Sequence, residues 1–292
     1  MGSEELCHPP WEHANAQRRF SATATVQPSF PRVSCPGRVY PRALMAYDDL
    51  RHRIRVGWQD TLREILAQAR SLGSKAVLAF DLDSTLFDNR PRQARILREF
   101  GATRGLTPLG ACLADHWDTG WDMKAAMRNC GLSPEQIEAH YNDARAFWME
   151  RFFTSDYCVD DVAIQGAAPF THAVVATGAQ LAYVTGRPEG MRQGTVEAMR
   201  RAGIALPGEG LVHLLMKPTA QMHDDAFKRE AHTQLGTFGQ VIAAFDNEPT
   251  HVNDYKLKFP QATVVHLATD HSGRPVQLLE GVVSIPHFVW AP

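Results

Sequence analysis

The chain has 292 residues, 44% of them hydrophobic and 21% charged, and its 30 Lys+Arg against 32 Asp+Glu give a formal net charge of −2. Such a composition argues against wholesale disorder, and no window approaches the roughly 18 uninterrupted apolar residues of a membrane-spanning helix. A near-neutral chain lacks the field of a dedicated nucleic-acid binder. The five cysteines (Cys7, Cys35, Cys112, Cys130, Cys158) are scattered, odd in number and without a CxxC pair. A disulfide framework or structural zinc is not expected, and a reducing, cytoplasmic compartment fits best.

Residues 1–44 carry Pro9, Pro10, Pro28, Pro31, Pro36 and Pro41 with no apolar periodicity, and a disordered tail is expected there. No secretory apolar stretch is present, and Glu4, Glu5 and Glu12 argue against a transit peptide despite several arginines. Met45 offers an alternative start. Leu50, Ile54, Trp58, Leu62, Ile65, Leu66 and Ala69 then recur at three- and four-residue spacing, which predicts an amphipathic helix over 47–71 closed by Gly73.

The short apolar run over 76–80, bounded by Gly73 and Asp81, predicts a buried strand of a parallel sheet. Similar runs lie at 181–184, 211–216, 241–245 and 262–266, with helical patterns at 189–202, 224–235 and 249–258. Alternating strands and helices predict a parallel α/β sheet with right-handed crossovers. From Phe80 to Leu181 the chain is far longer than the roughly 30 residues of a strand-helix-strand unit. The surplus is helical in pattern, with Ser133 as N-cap and Pro134 at the first helical position. A helical insert is therefore expected over 103–160, between core segments 45–102 and 161–292.

Ligands of open parallel sheets bind beyond the carboxyl ends of the strands. The residues just past the apolar runs are Asp81, Thr185, Lys217 and Asp246, with Asp83 two places beyond Asp81 and Lys228 in a following helix. Carboxylates without His or Cys suit a hard cation such as Mg2+. A lysine and a hydroxyl beside them suit a phosphoryl group.

Those residues carry a resemblance. The apolar strand followed by Asp81-Leu82-Asp83-Ser84-Thr85 resembles the first motif of the haloacid dehalogenase superfamily. Val184-Thr185-Gly186-Arg187 resembles its second motif, Lys228 its third, and Asp246-Asn247-Glu248 its acidic fourth. All stand in the expected order. The resemblance implies a doubly wound, Rossmann-like α/β core, with the insert in the position of a type-1 helical cap. It also implies a phosphatase. Asp81 would be the nucleophile, Asp83 the proton donor and acceptor, and Thr185, Gly186 and Lys228 the phosphate ligands. Magnesium would sit on the Asp81 carboxylate, the Asp83 carbonyl and Asp246. Members that cleave carbon-halogen bonds lack the second acid, so Asp83 favours phosphoryl transfer.

Some assignments stay open at this stage. Lys228 is preferred as the site lysine, with Lys217 as the alternative. Asn247 and Glu248 are each candidates to join the metal site. Asp88, Asn89 and Arg90 follow the first motif, with Arg90 expected as a solvated loop charge, while Arg187 faces either phosphate or solvent. Trp117 and Trp121 are expected in the core of the insert, with His116, Asp118 and Asp122 toward its surface or the substrate. The expected partner is a small phosphorylated molecule, with no nucleic acid and no membrane. Rival readings are a polynucleotide 3′-phosphatase, opposed by the charge and the insert, and a non-catalytic binding module, opposed by the complete residue set.

Overall fold

The computed structural model describes residues 48–290, so the tail expected over 1–44 lies outside the described residues. The helix expected over 47–71 is divided. A single turn, α1 (Asp48–Arg51), is followed by α2 (Trp58–Leu72), and Gly57 between them sits at φ 82. A left-handed residue cannot continue a right-handed helix, so the apolar periodicity runs through the break while the backbone does not. The stripe Leu62, Ile65, Leu66 and Ala69 on α2 is buried.

The elements that follow are β1 (Ala76–Phe80), β2 (Phe87–Asp88), α3 (Arg90–Arg104), α4 (Met123–Asn129), α5 (Pro134–Phe152), β3 (Val162–Ala163), α6 (Ala167–Ala176), β4 (Gln180–Pro188), α7 (Arg192–Ala202), β5 (Val212–Lys217), α8 (Asp224–Phe238), β6 (Gln240–Asp246), α9 (Pro249–Lys258), β7 (Thr263–Leu267) and β8 (Val283–Ile285). A six-stranded sheet runs in the order β5-β4-β1-β6-β7-β8 with every pair parallel. Strand order reverses about β1, which makes the sheet doubly wound and puts β1 at the switch point.

Both faces of the sheet are covered, which is why β1 is buried at every position. One face packs on α2, α6 and α7 around Leu78, Phe80, Phe170, Phe245 and Phe288, with Phe80 and Phe245 stacked at 4.4 Å. The other packs Val77, Ala79 and Val184 against Phe227 and Leu235 of α8 and Tyr255 of α9. Each fully buried large apolar side chain contributes about 1.5–3 kcal/mol relative to exposure. Among the described residues, no helix is long and apolar enough to cross a membrane.

Between β1 and β4 the chain builds a helical body with its own core, in which Leu97, Phe100, Trp117, Met127, Ile137 and Ala144 meet. Helix α3 belongs to it, so the body starts near residue 90, earlier than the 103 expected. Arg92 and Gln93 on the buried face of α3 interrupt its apolar period, and this hid the helix from a reading by that period. The two connectors to the core are joined by an antiparallel pair, Phe87 with Ala163 and Asp88 with Val162. Helix α6 and strand β8 have no counterpart in the sequence reading. Trp117 is buried as expected, but Trp121 is 51% exposed and lies outside the core of the helical body.

Candidate active site

The site begins where β1 ends. The Asp81 amide donates to the Phe245 carbonyl at 2.9 Å, which holds the end of β1 against β6. Beyond it the chain turns sharply. The Leu82 carbonyl accepts from the amides of Thr85, Leu86 and Phe87, and Ser84 adopts φ 58. A left-handed non-glycine residue is a strained position, and it sits one residue past Asp83.

Lys228, in the second turn of α8, reaches across β1 and β6. Its Nζ is 2.9 Å from Asp81 Oδ1 and 2.6 Å from Asp246 Oδ2, and all three side chains are nearly fully buried. Burial pushes the Asp81 carboxyl up to about 7, aided by Asp246 and Asp83 and opposed by the Lys228 ammonium. Burial also acts to raise Asp246, but Lys228 and His251 together outweigh it and keep Asp246 below the usual carboxylate range. Lys228 is held protonated by the same two acids against the cost of its burial. Lys217 instead pairs with Asp224 at the start of α8. Of the two lysines, Lys228 is the one in contact with Asp81 and Asp246.

Asp83 is engaged differently. Arg187 Nε donates to both of its oxygens, at 3.1 and 3.0 Å, and the Arg187 guanidinium also donates to Oδ1 at 2.7 Å. Arg92 of α3 adds a further bond to Oδ1 at 3.1 Å. Burial acts to raise the Asp83 carboxyl, yet Arg187 and then Arg92 hold it near 2. Arg187, left open between phosphate and solvent, is a buried partner of Asp83. Arg90, expected to be a solvated loop charge, is clamped to Asp88 at 2.7 Å.

Thr185 is fully buried within β4, and its hydroxyl accepts from the Arg187 amide at 3.2 Å. The register pairs Phe80 with Tyr183, so Thr185 stands level with the residues just past β1. At Gly186 a Cβ would come within 2.7 Å of the Asp224 carboxylate, so a side chain there would have to displace the partner of Lys217. Asn247 accepts from the Thr85 hydroxyl at 3.1 Å and donates to the Asp270 carbonyl. Glu248 is occupied by Ser272, at 2.9 Å to both the amide and the hydroxyl. Asn247 and Glu248 thus anchor the loop after β7 to the site. In the helical body, Asp122 caps α4 through the Ala125 amide and Asp118 accepts from Asn129, while His116 Nδ1 accepts from the Leu113 amide.

Behind Asp246 lies a network that a reading of strand ends does not reach. His251 Nε2 is 2.8 Å from Asp225, its Nδ1 is 3.8 Å from Asp246, and Arg274 pairs with Asp225 at 3.2 Å. Burial and Lys228 act to lower His251, but the two carboxylates raise it to about 9. His251 comes from α9 and Arg274 from a loop, and no apolar run points to either.

Among the described residues, no three His, Cys, Asp or Glu side chains form a ready-made metal cage. Magnesium commonly uses only one or two carboxylates and keeps several waters. Asp81 and Asp246 are such a pair, both turned to one ammonium, and the donors they offer are carboxylate oxygens. The Asp83 carboxylate is taken by arginines, leaving its backbone carbonyl as the donor it would offer. On donor chemistry the residues fit a hard cation.

The strand-end acids, the buried lysine and the threonine therefore gather at one rim of the sheet, at the switch point. The core is a doubly wound, Rossmann-like α/β fold. Solved structures with a similar architecture include CbbY from Rhodobacter sphaeroides in complex with phosphate (17% identity, 73% of this chain and 94% of that one, TM-score 0.44). A haloacid dehalogenase-like family hydrolase from Streptococcus pneumoniae is also similar (11% identity, 72% and 94%, TM-score 0.40). So is a class C acid phosphatase from Bacillus anthracis with tungstate bound (13% identity, TM-score 0.37); the match takes in 70% of this chain but only 65% of that phosphatase. These values convey a general likeness of architecture and no more. No protein-family model matches the chain, and no curated protein sequence matches it.

Proposed function

We propose that the protein is a magnesium-dependent phosphohydrolase that cleaves a phosphomonoester of a small metabolite through an aspartyl-phosphate at Asp81. The observation that carries this reading is the Lys228 ammonium bridging Asp81 and Asp246 at 2.9 and 2.6 Å in a buried site. A structural ion pair needs one acid, whereas two acids on one lysine at a strand-end switch point suit an anionic substrate and a cation.

Asp81 attacks phosphorus in line, and the bond from phosphorus to the leaving oxygen breaks. Asp83 gives its proton to that oxygen. Water then attacks the acyl phosphate at phosphorus and passes a proton back to Asp83, which frees the Asp81 carboxylate and inorganic phosphate. The arginines favour the Asp83 carboxylate, the form that accepts the proton from water. A phosphate dianion in the site adds negative charge and opposes them, favouring the protonated form needed in the first step. The Thr185 hydroxyl and the amides after Asp81 hold the transferring oxygens, and Lys228 balances their charge. Bound to Asp81, Asp246 and the Asp83 carbonyl, magnesium would offset the repulsion between nucleophile and substrate. The helical body acts as a cap that opens for a small substrate and closes to exclude water. A reducing, cytoplasmic setting suits the free thiols of Cys112, Cys130 and Cys158.

The test is release of phosphate from p-nitrophenyl phosphate with magnesium. Wild-type protein is expected to turn over and Asp81→Asn to be inactive; equal activity in both would remove Asp81 from the chemistry.

A further inference from the structure

Asp83 is one corner of a buried ring of four charges. Arg187 of β4 binds it with three hydrogen bonds and also reaches Asp161 Oδ2 at 2.6 Å. Arg92 of α3 binds Asp83 Oδ1 at 3.1 Å and lies 2.9 Å from Asp161 Oδ1. The side chains of Arg92, Arg187 and Asp161 are 0%, 2% and 0% exposed, while that of Asp83 is 34% exposed. Asp83 is thus the one member open toward solvent. Two cations and two anions make the ring neutral, which is what permits such burial.

The corners come from different parts of the chain. Arg187 belongs to the core sheet. Arg92 belongs to the helical body, where it also donates to the Phe152 carbonyl at 2.9 Å and lies 4.0 Å from the Phe152 ring. Asp161 lies on the connector returning from that body. The Asp83 carboxylate cannot keep its bonds to Arg187 and Arg92 unless core and body are seated together, and Asp161 on the connector holds both arginines.

We infer that Arg187, Arg92 and Asp161 are positioning residues that tie the placement of the Asp83 carboxylate to the seating of the helical body on the core. This deepens the phosphohydrolase reading and rests on it for the kinetic arm of the test. A misplaced Asp83 fails first where the leaving oxygen most needs a proton. An alkoxide leaves poorly without one, whereas p-nitrophenolate leaves readily. A ring that merely supported the fold would depress both reactions alike.

The experiment compares Asp161→Asn and Arg92→Lys with wild type on p-nitrophenyl phosphate and on an alkyl phosphomonoester such as glycerol phosphate. Asp161→Asn is expected to lower kcat on the alkyl ester about tenfold or more beyond its effect on the aryl ester, with KM little changed. Arg92→Lys keeps the charge without the planar fork and is expected to shift kcat in the same direction by less. Equal losses on the two esters, or no loss, would overturn the assignment. A second arm needs no turnover. Coupling is reciprocal, so Asp83→Ala should loosen the body that Asp83 helps to hold. Hydrogen exchange over residues 90–104 and 160–164 is expected to rise in Asp83→Ala, and unchanged exchange would overturn the coupling. If Asp81→Asn still releases phosphate, the phosphohydrolase reading fails, while the exchange arm continues to report on the ring.

Discussion

The Lys228 ammonium stands 2.9 Å from the Asp81 carboxylate, and its other close partner, at 2.6 Å, is Asp246. Removing the cation leaves two buried acids facing one another. Lys228→Met is expected to lose about 3–5 kcal/mol of stability in metal-free buffer. Added magnesium should return more of the melting temperature to this variant than it gives the wild type. Thermal melts with and without magnesium measure both effects.

Lys217 offers the contrast, because its partner Asp224 lies at the start of α8 and not at the end of β1. Lys217→Gln is expected to lower kcat/KM less than about tenfold, under about 1.4 kcal/mol of transition-state stabilisation. Lys228→Gln should lower it far more. Steady-state kinetics on one substrate would separate them, and the reverse ranking would move the site lysine to Lys217.

Asp270 ties the loop after β7 to the helical body by accepting from the Gly120 amide. Burial raises its carboxyl from 3.8 to about 6, with the Gly120 and Thr119 contacts acting the other way. Between those values the folded protein keeps a proton that the unfolded chain releases. Stability therefore falls as pH rises through that window, by up to roughly 3 kcal/mol. Asp270→Asn removes the titration and retains an acceptor for Gly120. The melting temperature of wild type relative to this variant should decline between about pH 4 and pH 6.5, and a flat difference would contradict the shift.

Gly194 in α7 lies against the segment that returns from the helical body. Its amide donates to the Ser155 hydroxyl at 3.2 Å, and a Cβ there would collide with the Ser155 backbone. Gly194→Ala gains helix propensity but must push Ser155 away, so a net loss of about 1–3 kcal/mol is expected. A calorimetric melt would show it as a drop of roughly 2–4 °C per kcal/mol.

Strand ends were the legible part of this sequence. A fully buried parallel strand must be continuously apolar, so the runs ending before Asp81, Lys217 and at Phe245 stood out, and the charged residue just past each run (Asp81, Lys217, Asp246) marked the rim. Lys228 was harder. A helix lysine is usually solvated, and only its order among the other motifs singled it out. Arg92, Asp161 and His251 left no signal, because their role comes from long-range pairing and not from local pattern. Helix α3 went unread because its buried face includes Arg92 and Gln93, which break the apolar stripe. The break at Gly57 was missed for the opposite reason, since apolar spacing persisted where the backbone reversed.

Chemical trapping tests the central claim most directly. The protein is mixed with substrate and magnesium, quenched within one turnover and treated with borohydride, which reduces an acyl phosphate to an alcohol. Peptide mass spectrometry is expected to find homoserine at position 81 and to lose it in Asp81→Asn. Phosphate release with no modification at Asp81, or with reduction at another carboxylate, would contradict the account.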